Sequence, residues 1–316
     1  MEAKIVKRNT GQYTLIDGNL FRHGYTHPIL TCVSGDQCAR IIVELHEGIC
    51  SSHIGGQALL LKVIQVGYYW LTMKEDCVKY TQCCVKCQKH ADWYHAPAEE
   101  LRSIYSLWPF DTWGIDILCH FPLAICQMKS LIVVIEYFTK WVEAKSVAQI
   151  TAHKVQYFVW KNIVCHFGIP RHLVSDNGTQ FSSQQLGKLF LDLRVKQVFA
   201  SVEHPQKNGQ VELANRILLR GLKRTLEKAK GTLLEEVPLI LRAYHTTPQS
   251  TTKETPFSLV YGSDVMIPVE IQENFPRFQS FVIEESNEGR KVNLDLLDEV
   301  REHACINSEA LKRGWS

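Results

Sequence analysis

The chain has 316 residues, 45% of them hydrophobic, and a formal net charge of +2 at pH 7. That length and apolar content are enough for two domains with a core each, while the longest aliphatic run, residues 131–135, is far short of the roughly 20 residues that span a membrane. The first residues lack an apolar signal segment. The sequence therefore predicts a soluble protein of a reducing compartment, whose eleven cysteines are thiols or metal ligands rather than disulfides.

Residues 1–97 are rich in histidine and cysteine and end in a proline-containing linker, which predicts a separate N-terminal domain. His46 and His53 are followed by Cys84 and Cys87 in a Cys-x-x-Cys pair. Two nitrogens and two thiolates suit tetrahedral Zn²⁺, and a closed set of four ligands indicates a structural site. The two-residue spacing favours Cys84 as a ligand. The ligand set stays open, however, because other candidates lie close by in the sequence, namely Cys77, Cys83, His90 and His95.

Three segments after the linker are dominated by β-branched and aromatic residues. They cover residues 113–118, 131–136 and 141–146 and predict three consecutive antiparallel strands. A helix over 152–165 and a short apolar strand over His172–Ser175 are expected to follow.

Further helices are predicted over 183–192, 211–230, 234–246 and, after an irregular tail, 287–312, with a short strand at 197–200. This order of elements predicts an α+β fold with a mixed central sheet. We expect three regions, with limits at 1–97, 98–262 and 263–316.

Three acidic residues in the second region are candidate metal ligands. Asp116 lies within an apolar strand, where a charge is costly unless a metal or another partner compensates it. Asp176 follows a predicted strand in a turn, and Glu212 opens the long helix. Considered alone, Asp176 could simply be a turn residue. Glu212 could simply be an acidic residue in the first turn of a helix, where the helix dipole favours a negative charge. If the two strands are neighbours, however, the three carboxylates meet at one end of the sheet, where they suit Mg²⁺ or Mn²⁺ and phosphoryl transfer.

The long predicted helix carries more basic than acidic residues. Arg216 and Lys223 lie near the Glu212 face and could bind DNA phosphates. Asn208 and Gln210, in the preceding polar loop, are candidates for further DNA contacts. The alternative is an ordinary solvated helix face.

With these residues in place, the chain resembles the integrases of gypsy-type long-terminal-repeat retrotransposons, in the plant style, over essentially its whole length. The matching stretches are LHEGICSSHIGG, GYYWLTMKED, CVKCQKH, YFTKWVEA, FGIPRHLVSDNGTQF, HPQKNGQVE and ETPFSLVYGSD. The resemblance implies a small helical HHCC zinc-binding domain, followed by a ribonuclease-H-like catalytic core with a mixed five-stranded sheet and flanking helices. It also implies that Asp116, Asp176 and Glu212 are the D-D-E triad of a polynucleotidyl transferase.

The activity implied by the resemblance is processing of the 3′ ends of the element's DNA and their transfer into chromosomal DNA. The implied cofactors are Mg²⁺ or Mn²⁺ and Zn²⁺. The implied partners are the element ends, the chromosomal target and further copies of the chain on DNA, with no membrane. The reaction implies a nuclear site of action, reached directly or within a cytoplasmic particle.

The sequence departs from the family at several positions. Cys119 and His120 stand in place of Gly-Pro, Glu136 in place of Asp, and Leu71 in place of the proline of a Trp-Pro pair. The chain also ends at Ser316, before the family's SH3-like terminal domain. No departure removes a metal ligand. The alternative expectation is a catalytically silent or host-adopted DNA-binding protein, or a fragment of a decayed polyprotein. A zinc-finger transcription regulator would leave the triad unexplained.

Overall fold

The structure is a computed structural model. It describes residues 12–16, 18–23, 29–48, 53–89, 106, 108–119, 130–176, 178, 180–199, 215, 233–263, 265 and 291–312. The described residues form two compact units, one within residues 1–91 and the other within 92–265 and 284–316. Among them, no helix has the length and apolarity needed to cross a membrane.

The first unit contains a small four-stranded sheet. Its strands are β1 (Tyr13–Ile16), β2 (Asn19–Arg22), β3 (Leu30–Cys32) and β4 (Tyr68–Tyr69), in the order β1-β2-β3-β4. The pairings are antiparallel except for the parallel pair of β3 and β4. This sheet is not predicted by the sequence, which indicates a small helical domain here, because strands of two to four residues are too short to display an alternating pattern.

Four helices complete the first unit. They are α1 (Asp36–Glu47), α2 (Gly56–Gln65), α3 (Met73–Cys83) and α4 (Val85–Lys89). Helix α1 buries Ile41, Ile42 and Leu45 along one face, as an amphipathic helix on a core does. Gly56 allows α2 to approach α3 closely, since a Cβ atom at this position would lie 2.9 Å from the Cα atom of Val78.

The second unit is built on a mixed five-stranded sheet in the order β7-β6-β5-β8-β9. The strands are β5 (Thr112–Cys119), β6 (Ser130–Glu136), β7 (Val142–Val147), β8 (His172–Ser175) and β9 (Lys196–Phe199). Strands β5, β6 and β7 are antiparallel neighbours, while β8 pairs in parallel with both β5 and β9. The expected mixed sheet is therefore confirmed, with strand limits within one residue of the predicted ones.

Helices cover both faces of this sheet. They are α5 (Ala152–Phe158), a π-helix (Val159–Val164), α6 (Cys165–Phe167), α7 (Gln184–Asp192), α8 (Leu233–His245), α9 (Pro256–Tyr261) and α10 (Leu297–Lys312). One core contains Trp113, Ile115 and Phe158, and the other contains Val133 and Val174. Every residue of β6 is buried, as expected for a central strand covered on both faces.

The helix predicted over residues 152–165 differs from the prediction in its hydrogen bonding. It begins at Ala152 with Thr151 as its side-chain cap, changes to a π-helix at Val159–Val164, and ends at Phe167. Val159 and Ile163 are both buried, and their side chains pack the π-helical segment against the core. The apolar spacing in the sequence does not distinguish a π-turn from an α-turn, because a π-turn adds only one residue to the hydrogen-bonded ring.

Glu136, which stands where the resembling family has aspartate, is the last residue of β6 and begins the turn to β7. Glu136 is fully buried, and its carboxylate accepts hydrogen bonds from the backbone N–H of Phe138 and from both the N–H and the hydroxyl of Thr139. Burial nevertheless raises the pKa of Glu136, because removal of water disfavours the charged form. Glutamate thus closes this turn with its own side chain.

An aromatic contact fixes helix α8 to the edge strand β7. The rings of Trp141 and His245 stack with centroids 3.7 Å apart and an angle of 8° between their planes. Nε2–H of His245 also donates a hydrogen bond to the carbonyl oxygen of Val142 at 2.8 Å. Tyr261 of α9 packs its ring against Trp141 as well.

Candidate metal centres

The first unit brings together the four residues that the sequence suggests as zinc ligands. One ligand atom from each of His46, His53, Cys84 and Cys87 lies within 4.8 Å of all the others. The Sγ atom of Cys84 is 3.4 Å from Nδ1 of His53, and the Sγ atom of Cys87 is 3.4 Å from Nε2 of His46. Both histidines are buried.

Local structure explains how these side chains converge. His46 lies in the last turn of α1, and His53 has a left-handed φ of 54°, which turns the chain back toward α1. Cys84 caps the end of α3 in an extended conformation, and Cys87 lies within the short α4. Of the two adjacent cysteines, Cys84 belongs to the four-residue group, whereas Cys83 is exposed.

The distances in this group fit a tetrahedral zinc ion. With Zn–N near 2.0 Å and Zn–S near 2.3 Å, a tetrahedron sets nitrogen and sulfur about 3.5 Å apart. The two observed N···S distances, both 3.4 Å, agree with that value. Among the other suggested ligands, Cys77 is buried but is not a member of this group. His90 and His95 lie outside the described residues.

Three further side chains surround the ligands. The hydroxyl of Tyr80 donates a hydrogen bond of 2.6 Å to Oε1 of Glu47, and this bond is the largest cause of the lowered pKa of Glu47. The ring of Tyr80 meets His46 edge to face, with centroids 5.3 Å apart. Nζ of Lys86 lies 3.0 Å from Nε2 of His53.

In the second unit, Asp116 and Asp176 come from neighbouring parallel strands. Asp116 lies in the middle of β5, opposite Val133 of β6. The pairing of β5 and β8 ends at Gly114 and Val174, and Asp116 and Asp176 each lie two residues beyond this pair. Asp176 directly follows Ser175, the last residue of β8. Side-chain alternation along a strand places residues two positions apart on one face.

The carboxylate of Asp116 is held by two hydrogen bonds. Oδ1 accepts from the backbone N–H of Ile117 at 2.7 Å, and Oδ2 accepts from the side-chain amide of Asn215 at 2.5 Å. Oδ1 of Asp176 accepts from the backbone N–H of Gly178 at 3.0 Å. Both aspartates remain partly accessible. A pair of half-buried carboxylates on one face of a sheet can supply the oxygen ligands that Mg²⁺ prefers.

Asn215 is the residue of this site that the sequence analysis does not identify. It is buried and lies three positions after Glu212, a spacing that puts two helical residues on one face. That spacing is the signal by which it could have been found. The other predicted residues of the site lie outside the described residues, namely Asn208, Gln210, Glu212, Arg216 and Lys223.

The fold of the second unit defines the class to which it belongs. A mixed five-stranded sheet, with three antiparallel strands followed by two parallel ones and with helices on both faces, is a ribonuclease-H-like core. The family described as "Integrase core domain" matches residues 108–205, and the family described as "Integrase zinc binding domain" matches residues 33–93. The chain therefore carries an integrase zinc-binding domain followed by an integrase core domain, which confirms the predicted fold class.

Among curated proteins, the chain is similar to transposon polyproteins of the fission yeast Schizosaccharomyces pombe. It is 25% identical to the Transposon Tf2-3 polyprotein over 276 residues, and equally to the Transposon Tf2-4 polyprotein. Each match covers 86% of this chain and 20% of the polyprotein, so the chain spans a fifth of the length of these relatives.

Among solved structures, the chain is similar in fold to one from the simian T-cell lymphotropic virus intasome in complex with PP2A regulatory subunit B56 gamma. The TM-score is 0.50 at 18% sequence identity, and the match covers 69% of this chain and 72% of that chain. At this identity the similarity concerns the fold alone.

Proposed function

We propose that the chain is the integrase part of a gypsy-type retrotransposon polyprotein, of the plant type. It processes the 3′ ends of the element's DNA and transfers them into chromosomal DNA. The observation that carries the proposal is the position of Asp116 and Asp176, each two residues beyond the Gly114–Val174 pair that joins β5 and β8 in an integrase core fold. Two carboxylates in such corresponding positions can together supply oxygen ligands to one cation, and this favours a metal site over a purely structural role.

Asp116, Asp176 and Glu212 are the proposed ligands of Mg²⁺ or Mn²⁺. The hydrogen bond from Asn215 to Asp116 supports the inclusion of Glu212, because the sequence predicts one helix over 211–230, and a spacing of three places two residues of a helix on the same face. When bound, the metal supplies Lewis-acid stabilisation of the charge that develops on the phosphate oxygens. The three carboxylates hold it, and Asn215 fixes the rotation of the Asp116 side chain.

DNA is the proposed partner, and the basic helix that the sequence predicts over 211–230 is its proposed contact surface. Arg216 and Lys223 would neutralise backbone phosphates, which are contacts without sequence preference. Asn208 and Gln210 would add neutral hydrogen bonds beside the metal site. We further propose that several copies of the chain act together on DNA and that the reaction takes place in the nucleus.

The proposed role of His46, His53, Cys84 and Cys87 is to hold a structural Zn²⁺ ion. Their closed set of two nitrogens and two sulfurs within 4.8 Å leaves no position for a reacting water, unlike a catalytic zinc site. The ion would contribute to the folding free energy of the first unit only, since all four ligands belong to it. The domain limits 1–97, 98–262 and 263–316 remain part of the proposal.

A joining assay tests the catalytic proposal. With Mg²⁺ or Mn²⁺, the chain is expected to join a duplex oligonucleotide that carries the element's terminal sequence to target DNA. Asp116→Asn and Asp176→Asn should abolish joining and weaken Mn²⁺ binding in calorimetry, because each removes a negative ligand. The matched control is Asp192→Asn, at an exposed position at the end of α7, which should leave both measurements unchanged. Full joining by the Asp116 and Asp176 variants would refute the site, and a well-folded chain inactive with every metal would favour the catalytically silent alternative.

A further inference from the structure

The zinc ligands come from two halves of the first unit that are separate in sequence. The histidine half consists of the end of α1 and His53, and the cysteine half consists of the end of α3 and α4. A metal ion can bind both halves only when their ligand atoms lie at coordination distance from one another. Any side-chain contact that spans the halves therefore affects how much order the metal itself has to impose.

One hydrogen bond spans the two halves directly beside the ligands. Tyr80 of α3 donates its hydroxyl to Oε1 of Glu47 in α1 at 2.6 Å. Glu47 follows the ligand His46, and Tyr80 is one helical turn before the ligand Cys84. A bond of this length between a hydroxyl and a carboxylate belongs to the strong, charge-assisted class. It sets the distance between α1 and α3 at the point where each helix presents a zinc ligand.

The same tyrosine also restricts the orientation of a ligand ring. Its ring meets His46 at a centroid distance of 5.3 Å and an angle of 82°, while His53 meets His46 at 4.9 Å and 89°. His46 is thus in contact with two rings that are both perpendicular to it. Since Nε2 of His46 is the atom that faces Cys87, a rotation of this ring would move a ligand atom away from the site.

We propose that Tyr80 and Glu47 form an outer clamp of the zinc site, in which both act as positioning residues. The phenol-to-carboxylate bond holds the two halves at ligand distance, and the phenol ring holds His46 in its binding orientation. This inference rests on the proposed zinc site. Outer partners of metal ligands typically change metal affinity by about 10- to 100-fold, because they reduce the ordering that accompanies binding.

The test is Zn²⁺ affinity of the full chain, measured by competition with a chromogenic chelator. Tyr80→Phe keeps the ring on His46 but removes the bond to Glu47, and we expect the dissociation constant to rise about tenfold. Glu47→Gln keeps an acceptor without the charge and should have a smaller effect. The double variant should resemble Tyr80→Phe, because once the phenol hydroxyl is gone the change at Glu47 has no bond left to weaken. Substitution by Co²⁺ gives a second readout, in which thiolate-to-metal absorption persists while the ion is released faster.

Two matched controls make the same chemical changes elsewhere. Tyr157→Phe alters a half-exposed tyrosine of α5, and Glu75→Gln alters an exposed glutamate of α3. Neither should change Zn²⁺ affinity. Wild-type affinity in both Tyr80→Phe and Glu47→Gln, or independent effects in the double variant, would overturn the clamp while leaving the zinc site in place. A wild-type chain that binds no Zn²⁺ would overturn the zinc site and the clamp together.

Discussion

Replacement of His245 by phenylalanine separates ring stacking from proton binding at the junction of α8 and β7. Phenylalanine can keep the stacked contact with Trp141, but it has neither the titrating nitrogen nor the hydrogen bond to Val142. Burial lowers the pKa of His245 from 6.5 to about 4, against a smaller opposing effect of the bond to Val142. Protonation is therefore disfavoured in the folded state, and the unfolded state binds the proton first.

The magnitude follows from proton linkage. The contribution of neutral His245 to stability is fully present above a pH of about 6.5 and is lost as the pH falls through about 4. Each pKa unit corresponds to about 1.4 kcal/mol. At a pH of about 4.5, the wild-type chain should therefore lose about 2.5 kcal/mol relative to its stability near neutral pH through this residue. His245→Phe should lack that part of the pH dependence.

Hydrogen exchange read by mass spectrometry can measure this locally. The observable is the free energy of opening of peptides that cover 141–147, after correction for the intrinsic effect of pH on exchange. The wild-type chain and His245→Phe are compared near neutral pH and at a pH of about 4.5. His153→Phe, at an exposed position in α5, is the control and should follow the wild type. Parallel pH dependence of the wild type and His245→Phe would refute the reasoning.

Two further predictions concern the first unit. Removal of zinc by a chelator should abolish hydrogen-exchange protection over residues 53–89 and leave residues 130–176 protected, because a structural metal stabilises its own unit. The Cys84→Ser variant should lose the metal, and the Cys83→Ser variant should keep it. The reverse result would contradict the proposed ligand set. Gly56→Ala should destabilise the unit by about 1–3 kcal/mol in chemical unfolding, because the added carbon would lie 2.9 Å from Cα of Val78. Gly55→Ala has no atom within 4 Å of its added carbon and is the control, and an equal effect of the two changes would contradict the packing argument.

The parts of the fold that could be predicted from the sequence are those that bury long, regular apolar segments. The strands of the five-stranded sheet are predicted to within one residue. The central strand β6, for example, contains five consecutive aliphatic residues and is fully buried. Asp116 was recognisable because a carboxylate interrupts an apolar strand, and its neighbour relation with the strand before Asp176 is confirmed by the pairing of β5 and β8.

The features that could not be predicted depend on contacts between distant residues. The bond between Tyr80 and Glu47 joins residues 33 positions apart, and that between Asn215 and Asp116 joins residues 99 positions apart. The bond between Tyr80 and Glu47 has no signature in the local sequence, and the spacing of three between Glu212 and Asn215 does not by itself identify Asp116 as the partner of Asn215. The small sheet of the first unit also depends on tertiary pairing, because β4 has only two residues and gains its partner β3 from a distant part of the chain.

The pairing of β5 and β8 also affects how copies of such a retrotransposon can diverge in sequence. Because Asp116 and Asp176 each lie two residues beyond the Gly114–Val174 pair of β5 and β8, their relative position is set by this strand pairing and not by the length of the connections between the strands. In-frame insertions or deletions in those connections should therefore be neutral for the pair. A change of one residue inside either strand, ahead of its aspartate, would turn that carboxylate to the opposite face of the sheet. Among diverged copies, the position of a length change should thus indicate lost activity better than overall sequence identity.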